Sequence, residues 1–340
     1  MPSISILIPV YNGALFIQES LDSLYAQTFQ DFEIVIMDDG STDNTAEIIQ
    51  SQKSDKIRYF NNGSNLGIID TLNKGISLCF GRYIARMDAD DIAYPERLDR
   101  QWHYMESNPD TVLLGSSIIR FSDKYSVNDL RGGNDNNIRA KLLFDTAINH
   151  PSAIIRANTL KEYGLKYSKK YLHAEDYGLW VELSRYGKIA NLDDVLLKYR
   201  MHGNNISMKF NALQYQTMDF IRKMLFHEFW TKIGLSNPMW EQRYAGLSGK
   251  TTIEIGDVLE MSNLLNELID ANEKSNVYDQ KYLKKHASWF WYVVFIHPKL
   301  KKFTPLVAYK ILKNKKSIFY YLENVYKIKI VVKCFSFGRI

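Results

Sequence analysis

Three carboxylates crowd one short stretch, Met87-Asp88-Ala89-Asp90-Asp91. They follow the extended run Arg82-Tyr83-Ile84-Ala85-Arg86, so the pattern places them where a strand ends. Carboxylates this close repel one another and shift each other's pKa until a cation or a donor neutralises them. A hard divalent ion shared with substrate phosphates is a natural neutraliser, because Mg²⁺ or Mn²⁺ is usually held by one or two carboxylates plus phosphate oxygens. A solvated acidic turn has the same composition, and the motif alone does not separate the two.

The flanking sequence supplies elements that position this turn. Ile4–Val10 is short, β-branched and apolar, as a strand buried on both faces must be. Residues 13–27 then place Leu15, Phe16, Leu21 and Leu24 at helical spacing. The alternation repeats: strand at 32–37, helix at 45–52, strand at 57–60, helix at 66–78, strand at 83–87, and a helix at 95–107 that opens on Pro95. This predicts an α/β domain, a parallel sheet with helices on both faces, and a ligand outside the carboxyl ends of the strands. Three loops fall on that edge: Pro9-Val10-Tyr11-Asn12, Asp38-Asp39-Gly40-Ser41 and Asp88-Ala89-Asp90-Asp91. There is no G-x-x-x-x-G-K-S/T, and Gly13 stands alone where a G-x-G-x-x-G would be, so P-loop and dinucleotide readings both fail. Asp39 is placed to accept hydrogen bonds from a base imide or a ribose hydroxyl, with Asp38 capping the turn. Turn chemistry followed by a helix cap explains the same Asp-Gly-Ser-Thr-Asp loop equally well.

The chain has 340 residues, 46% hydrophobic and 24% charged, which excludes disorder and fits about two domains. Cys79 and Cys334 are the only cysteines and lack C-x-x-C spacing, so neither a disulfide framework nor a zinc site is expected and a reducing cytosolic setting fits. The N-terminus shows no export signal. Residues 281–340 hold 14 Lys or Arg against one acid, Glu323, whereas the rest of the chain has a net charge of −8. A tail this basic calls for an anionic partner, either nucleic acid or phospholipid. Trp289, Phe290, Trp291, Tyr292, Phe295, Phe319, Tyr320, Tyr321, Phe335 and Phe337 lie among its lysines, a mixture suited to a bilayer's headgroup boundary. The longest apolar stretch, 289–296, is far short of the roughly 20 residues that span a bilayer. The tail is therefore expected to lie on an anionic membrane, or else to be a basic helical surface with buried aromatics or part of a homodimer contact. After Ser207 the alternation stops, and Leu213, Met218, Ile221, Leu225, Leu259, Leu264, Leu265 and Leu268 recur at helical spacing. Polar residues 272–279 read as a linker.

Taken in order, Ser5-Ile6-Leu7-Ile8-Pro9-Val10-Tyr11-Asn12, Asp38-Asp39-Gly40-Ser41-Thr42-Asp43, Asn65-Leu66-Gly67, Asp88-Ala89-Asp90-Asp91 and Ala174-Glu175-Asp176-Tyr177 resemble the motifs of family 2 glycosyltransferases of GT-A fold. The pattern is most similar to bacterial β-1,3-N-acetylhexosaminyltransferases of lipooligosaccharide assembly. Those enzymes similarly read N-x-G-x-x-x-x-L-N-x-G, Y-x-A-R-x-D-A-D-D, A-E-D-Y-x-x-W and K-Y-R-x-H, here at 65–75, 83–91, 174–180 and 198–202. The resemblance covers about residues 3–208. It implies a GT-A catalytic domain at 1–208, followed by a helical region at 209–340 that carries the basic aromatic tail.

The resemblance also implies an inverting transfer from a UDP-sugar, an N-acetylhexosamine, to a glycan or lipid-linked saccharide. The enzyme would work at the cytoplasmic face of the membrane in surface glycan synthesis. Asp90 would hold Mn²⁺ or Mg²⁺ on the donor diphosphate, with Asp88 and Ala89 near ribose or sugar and Asp91 secondary. Pro9, Val10, Tyr11, Asn12, Asp39 and Asn65 would line the nucleotide. Arg86 and Lys74 are candidate diphosphate cations, although an arginine before an acidic turn also suits a plain ion pair. An inverting transfer needs a base to take the acceptor proton. Asp176 matches the family's base and Glu175 its contact to donor or acceptor hydroxyls, while an acidic pair opening a helix is also ordinary capping. His202 matches a second metal ligand, and imidazole suits Mn²⁺ better than Mg²⁺. His150-Pro151-Ser152 matches a structural loop near the acceptor. The rival reading is a non-enzymatic nucleotide or nucleic-acid binder that uses the tail. Asp39, Asp88, Asp90 and Asp176 together favour the enzyme, with no nucleic-acid partner, because a binder needs no base placed opposite a metal.

Overall fold

A computed structural model of the chain describes residues 1–203, 211–248, 254–296, 318–324 and 327. Two compact units divide the chain: residues 1–138 with 146–217, and residues 139–145 with 218–340. The first unit begins with β1 (Ile4–Val10), α1 (Ile17–Tyr25), β2 (Phe32–Asp38), α2 (Thr45–Gln50), β3 (Ile57–Asn61), α3 (Ile68–Leu78) and β4 (Tyr83–Arg86). Every residue of β1 and β2 is buried, as their unbroken apolar runs require. The unit continues through β5 (Ile92–Ala93), α4 (Arg97–Ser107), β6 (Thr111–Phe121), β7 (Ser126–Asp129), β8 (Ile154–Arg156), α6 (Ala157–Glu162), α7 (Glu175–Leu183) and β9 (Lys188–Arg200); the helix α5 (Asp135–Leu142), between β7 and β8, begins in this unit, and its residues from 139 on belong to the second.

Strand order is β3-β2-β1-β4-β8-β6-β9-β5, and β7 pairs with β6. The first four strands are parallel, as the alternation predicts. The sheet then departs from a purely parallel one, because β8 runs antiparallel to both β4 and β6, and β5 antiparallel to β9. The reversed strands pair with partners far away in sequence, β8 with β4 and β6 and β5 with β9, so no single crossover helix fixes their direction. β9 starts well before the predicted 195–199. Leu192 pairs with Ser116 and Val195 with Ser117, so Asp193 and Asp194 bulge out of register and disguise the strand as a loop.

One apolar cluster joins the layers, with Ile4, Ile6, Ile8, Leu21, Leu24, Ile34, Ile36, Tyr83 and Leu98 among its members. Each such side chain contributes about 1.5–3 kcal/mol of transfer free energy when fully buried. α3 seats against the sheet through Gly75. A Cβ there would stand 2.3 Å from Leu7 Cδ1 and 2.8 Å from Met37 Cγ.

In the second unit the described helices include Pro238–Leu247, Ile255–Ser275 and Gln280–Phe290, with most of Asn211–Lys232. Trp240 and Trp291, both fully buried, anchor its core and donate their indole N–H groups to Leu264 O (2.9 Å) and Val258 O (3.0 Å). Two expectations need correction. Residues 272–275 belong to a helix capped by Asn276, and Asn272 is a buried residue of its last turn whose amide donates to Tyr278 O and Gln280 Oε1 and accepts from Tyr278 N. Its polarity ties the following turn and the start of the next helix to this one; it does not mark a linker. Likewise Phe290, Trp291 and Tyr292 are buried, so these aromatics of the tail serve a core and cannot face a bilayer. Phe335 and Phe337 lie outside the described residues, as do the side chains of Phe295, Phe319 and Tyr320. Among the described residues no helix is long and apolar enough to cross a membrane.

Candidate active site

The loops after β1 and β2 clasp each other through side-chain to backbone bonds. Asn12, held at φ 53°, accepts from Thr42 N at 2.8 Å through Oδ1, and its own N–H donates to Ser41 Oγ at 2.9 Å. Gly13 N donates to Thr45 Oγ1 and Ala14 N to Asp43 Oδ2. An asparagine tolerates this left-handed backbone better than most residues because its short amide bonds locally. Pro9 and Val10 are buried at the end of β1, whereas Tyr11 is exposed at the loop tip. A Cβ on Gly13 would lie 3.8 Å from the Ala89 Cβ, which brings this first loop against the acidic turn.

Asp38 is fully buried and structural. It accepts from Ser41 N, the Tyr59 hydroxyl and Asn61 Nδ2, which matches the turn-capping expectation. Asp39 ties down the loop that follows β3. Its Oδ1 accepts from Asn62 Nδ2 (2.9 Å), Leu66 N (2.8 Å) and Thr71 Oγ1 (2.7 Å), and its Oδ2 from Gly67 N (2.9 Å). Burial pushes this carboxyl up, but those four bonds outweigh it and hold Asp39 below its ordinary value. Oδ2 keeps acceptor capacity for a further donor. Asn65 is exposed, its Oδ1 accepting from Gly67 N. Lys74 is exposed too and donates to Asn62 Oδ1 at 2.9 Å, beside Asp39.

At the end of β4, Arg86 is buried and grips Asp88 with both terminal nitrogens, at 2.6 and 2.5 Å. The sequence left open whether this arginine pairs with the acidic turn; it does. Arg97, also buried, donates to the Arg86 carbonyl at 2.7 Å. Asp90 Oδ2 lies 2.7 Å from His202 Nε2, so residues 112 positions apart meet. Burial first and the Asp88 charge second raise the Asp90 carboxyl, against the His202 contact. Asp91 is fully buried, accepts from Arg200 N at 2.9 Å, and keeps Oδ2 without a hydrogen-bond partner. Burial and the two neighbouring acids push it well above the usual carboxylate range. Asp88, Asp90 and Asp91 each offer one oxygen, and those oxygens all lie within 4.8 Å of one another. This all-oxygen set, with an imidazole at its edge, fits a hard divalent ion.

The acid pair opens α7, which is anchored by the buried Trp180 through its indole bond to Ile148 O at 3.2 Å. Asp176 Oδ1 accepts from Tyr177 N at 2.7 Å, and Oδ2 accepts from Thr146 Oγ1 at 3.5 Å. Glu175 Oε2 is buried without a partner, and burial, then the Asp176 charge, raises this carboxyl to about 7.

Tyr167 is held from two directions. It is buried, its hydroxyl lies 2.8 Å from His150 Nε2, and its backbone is held on both sides by the Asn73 amide. Burial raises the phenol, Arg86 opposes this, and the charges of Asp176, Glu175 and Asp88 all reinforce it. His150 packs edge-on against Trp180 and is kept neutral by burial and by Arg86. The structure therefore gathers Arg86, Asp88, Asp90, Asp91 and His202 into one cluster, while Glu175 and Asp176 stand together at the start of α7. Tyr167 and Arg97 carry no motif signal. Arg200 stands inside K-Y-R-x-H, where its place beside His202 was the available clue.

The Glycosyl transferase family 2 domain model matches residues 5–164. An uncharacterized glycosyltransferase of Haemophilus influenzae is 35% identical over 246 residues, 69% of this chain and 76% of that protein. The amylovoran biosynthesis glycosyltransferase AmsE of Erwinia amylovora is 32% identical over 212 residues, 60% of this chain and 79% of that protein. Among solved structures, S. aureus TarS 1–349 in complex with UDP-GlcNAc has a TM-score of 0.58 at 19% identity, covering 85% of this chain and 86% of that one. Mannosyltransferase PcManGT of Pyrobaculum calidifontis, in complex with GDP-Man and Mn²⁺, has a TM-score of 0.53 at 14% identity, covering 98% and 87%. These two structural likenesses speak for the fold. The Haemophilus relative and the matched domain, set on a GT-A sheet with its acidic turn at the carboxyl edge, make this chain a member of glycosyltransferase family 2.

Proposed function

We propose that the enzyme moves a sugar, an N-acetylhexosamine, from a UDP-sugar to a glycan or lipid-linked saccharide with inversion at the anomeric carbon, in bacterial surface polysaccharide or lipooligosaccharide synthesis. The observation that carries this reading is the cluster of Asp88, Asp90 and Asp91, whose carboxylate oxygens lie within 4.8 Å of one another with His202 on Asp90, in a unit whose α7 opens on a further acid pair, Glu175 and Asp176. A binding module has no use for a second acid pair next to a nucleotide-diphosphate site. The resemblance supports a UDP donor, and TarS, a protein of the same fold, binds UDP-GlcNAc.

In this reading the β1 and β2 loops and Asp39 hold the nucleotide. Asp90 and His202 would hold Mn²⁺ or Mg²⁺, whose Lewis acidity would neutralise the departing diphosphate, an effect of several kcal/mol in the transition state. Arg86 keeps Asp88 oriented and offsets its charge. Asp176 takes the proton of the attacking acceptor hydroxyl as the new bond forms, and Glu175, with its unpartnered Oε2, bonds a sugar hydroxyl. The lysine-rich C-terminal segment would bring the enzyme to the anionic cytoplasmic face of the membrane, where a lipid-linked acceptor resides.

The test begins with a screen of UDP-, GDP- and dTDP-sugars for Mn²⁺-dependent hydrolysis. With the best donor, Asp176→Asn should abolish turnover while the donor's Kd by calorimetry stays near wild type. Unchanged turnover removes Asp176 from the mechanism, and a GDP-sugar preference removes the UDP assignment.

A further inference from the structure

We infer that Arg200 is a positioning residue for the metal-bearing turn, an inference that rests on the proposed role of Asp90 and His202. Arg200 stands at the end of β9, its side chain only 15% exposed, and its groups converge on the acidic turn from several directions. Its Nε–H donates to the Asp90 carbonyl at 2.9 Å, and its backbone N–H donates to Asp91 Oδ1 at 2.9 Å. The Nη2 end pairs with Glu19 on α1. The guanidinium also lies over two rings, with Cζ 4.7 Å from the Phe16 centroid and 4.7 Å from the Phe121 centroid. The same Phe16 ring stacks with the His202 imidazole at 5.2 Å and 26°. One side chain thus fixes the backbone of one candidate ligand and, through Phe16, the ring plane of the other.

A simple ion pair with Glu19 would need none of this. Glu19 is 57% exposed, and such a surface pair contributes little. The planar fork is what the site requires, because Nε must reach a carbonyl while Nη2 reaches a carboxylate and the flat cation lies against aromatic rings. Lysine keeps the charge and cannot do all three. Groups that orient metal ligands without touching the ion change affinity by about 10–100-fold when removed.

Mn²⁺ affinity should be measured by EPR titration in the presence of UDP for wild type, Arg200→Lys, Glu19→Gln and Asp90→Ala, with the melting temperature of each protein taken free of metal. Arg200→Lys should weaken Mn²⁺ binding by about 10-fold. Its metal-free melting temperature should stay close to wild type, and Glu19→Gln should shift the affinity in the same direction by less. Wild-type Mn²⁺ affinity in Arg200→Lys, with affinity lost in Asp90→Ala, overturns the inference and leaves the metal reading standing. Wild-type affinity in Asp90→Ala means that the metal reading has failed and that the inference falls with it. If Arg200→Lys does not fold, Phe16→Leu, which removes the ring shared by Arg200 and His202, is titrated in the same way, and an unchanged affinity there overturns the inference.

Discussion

Glu175 gives the enzyme a pH dependence of stability that one substitution should erase. In the folded chain its carboxyl titrates near about 7, raised from 4.5 first by burial and second by Asp176. The unfolded chain loses that proton near its ordinary value. Between those limits the folded state binds more protons than the unfolded one, so stability falls as pH rises through the window. Below the window both states are protonated and the group is neutral in its effect. The full shift corresponds to roughly 3 kcal/mol, and partial solvent access reduces this to about 2 kcal/mol. Glutamine has the shape and neutrality of the protonated acid and does not titrate. Glu175→Gln and wild type should therefore have similar melting temperatures at pH 5 and diverge as pH rises, with the variant about 4–8 °C higher by pH 8. Differential scanning fluorimetry in buffers from pH 5 to 8, with urea midpoints at the two extremes, would measure this. A difference between the proteins that stays flat across the window would refute the argument and show Glu175 to be ionised in the folded enzyme at neutral pH.

Other expectations concern the scaffold and the tail. Gly75→Ala should lower the urea midpoint by the equivalent of roughly 1–3 kcal/mol, because the new methyl meets Leu7 and Met37 inside van der Waals contact; an unchanged midpoint would mean that α3 sits farther from β1 and β2 than described. Replacing Lys299, Lys301 and Lys302 with Glu should reduce sedimentation with phosphatidylserine liposomes while leaving neutral liposomes unaffected. Equal partitioning would return the basic segment to a partner or dimer surface.

The first half of the sheet was legible because β1 and β2 are unbroken apolar runs followed by loops rich in Asp, Gly and Asn, so local composition and tertiary position agree. The far half was not. β9 carries Asp193 and Asp194 out of register, and no local rule distinguishes such a bulge from a loop. The reversal at β8 depends on pairing with β4 and β6, partners far away in sequence. Among site residues, the acids announced themselves by spacing. Tyr167 did not, because a lone buried tyrosine has no periodicity, and what matters about it is where Asn73 and His150 hold it. For Arg86 the sequence allows two roles, and only the geometry shows it paired with Asp88. Asn272 misled because a buried amide that pins the turn between two helices has the composition of a linker.

The contacts that complete the acidic turn join Asp90 and Asp91 to Arg200 and His202 across 109 to 112 residues of chain. Such long-range closure comes late in folding, because the intervening loop entropy must be overcome first. On a ribosome adding about 5–20 residues per second, the three carboxylates emerge roughly 5–20 s before the strand that completes their turn. During that interval the nascent chain carries a loose acidic loop without its arginine brace or its imidazole. A chain that stops short of β9 would thus have the acidic motif and still lack the contacts from Arg200 and His202 that complete its turn. Premature termination and proteolytic trimming on that side should therefore yield products without transferase activity, never weakly active ones that consume donor.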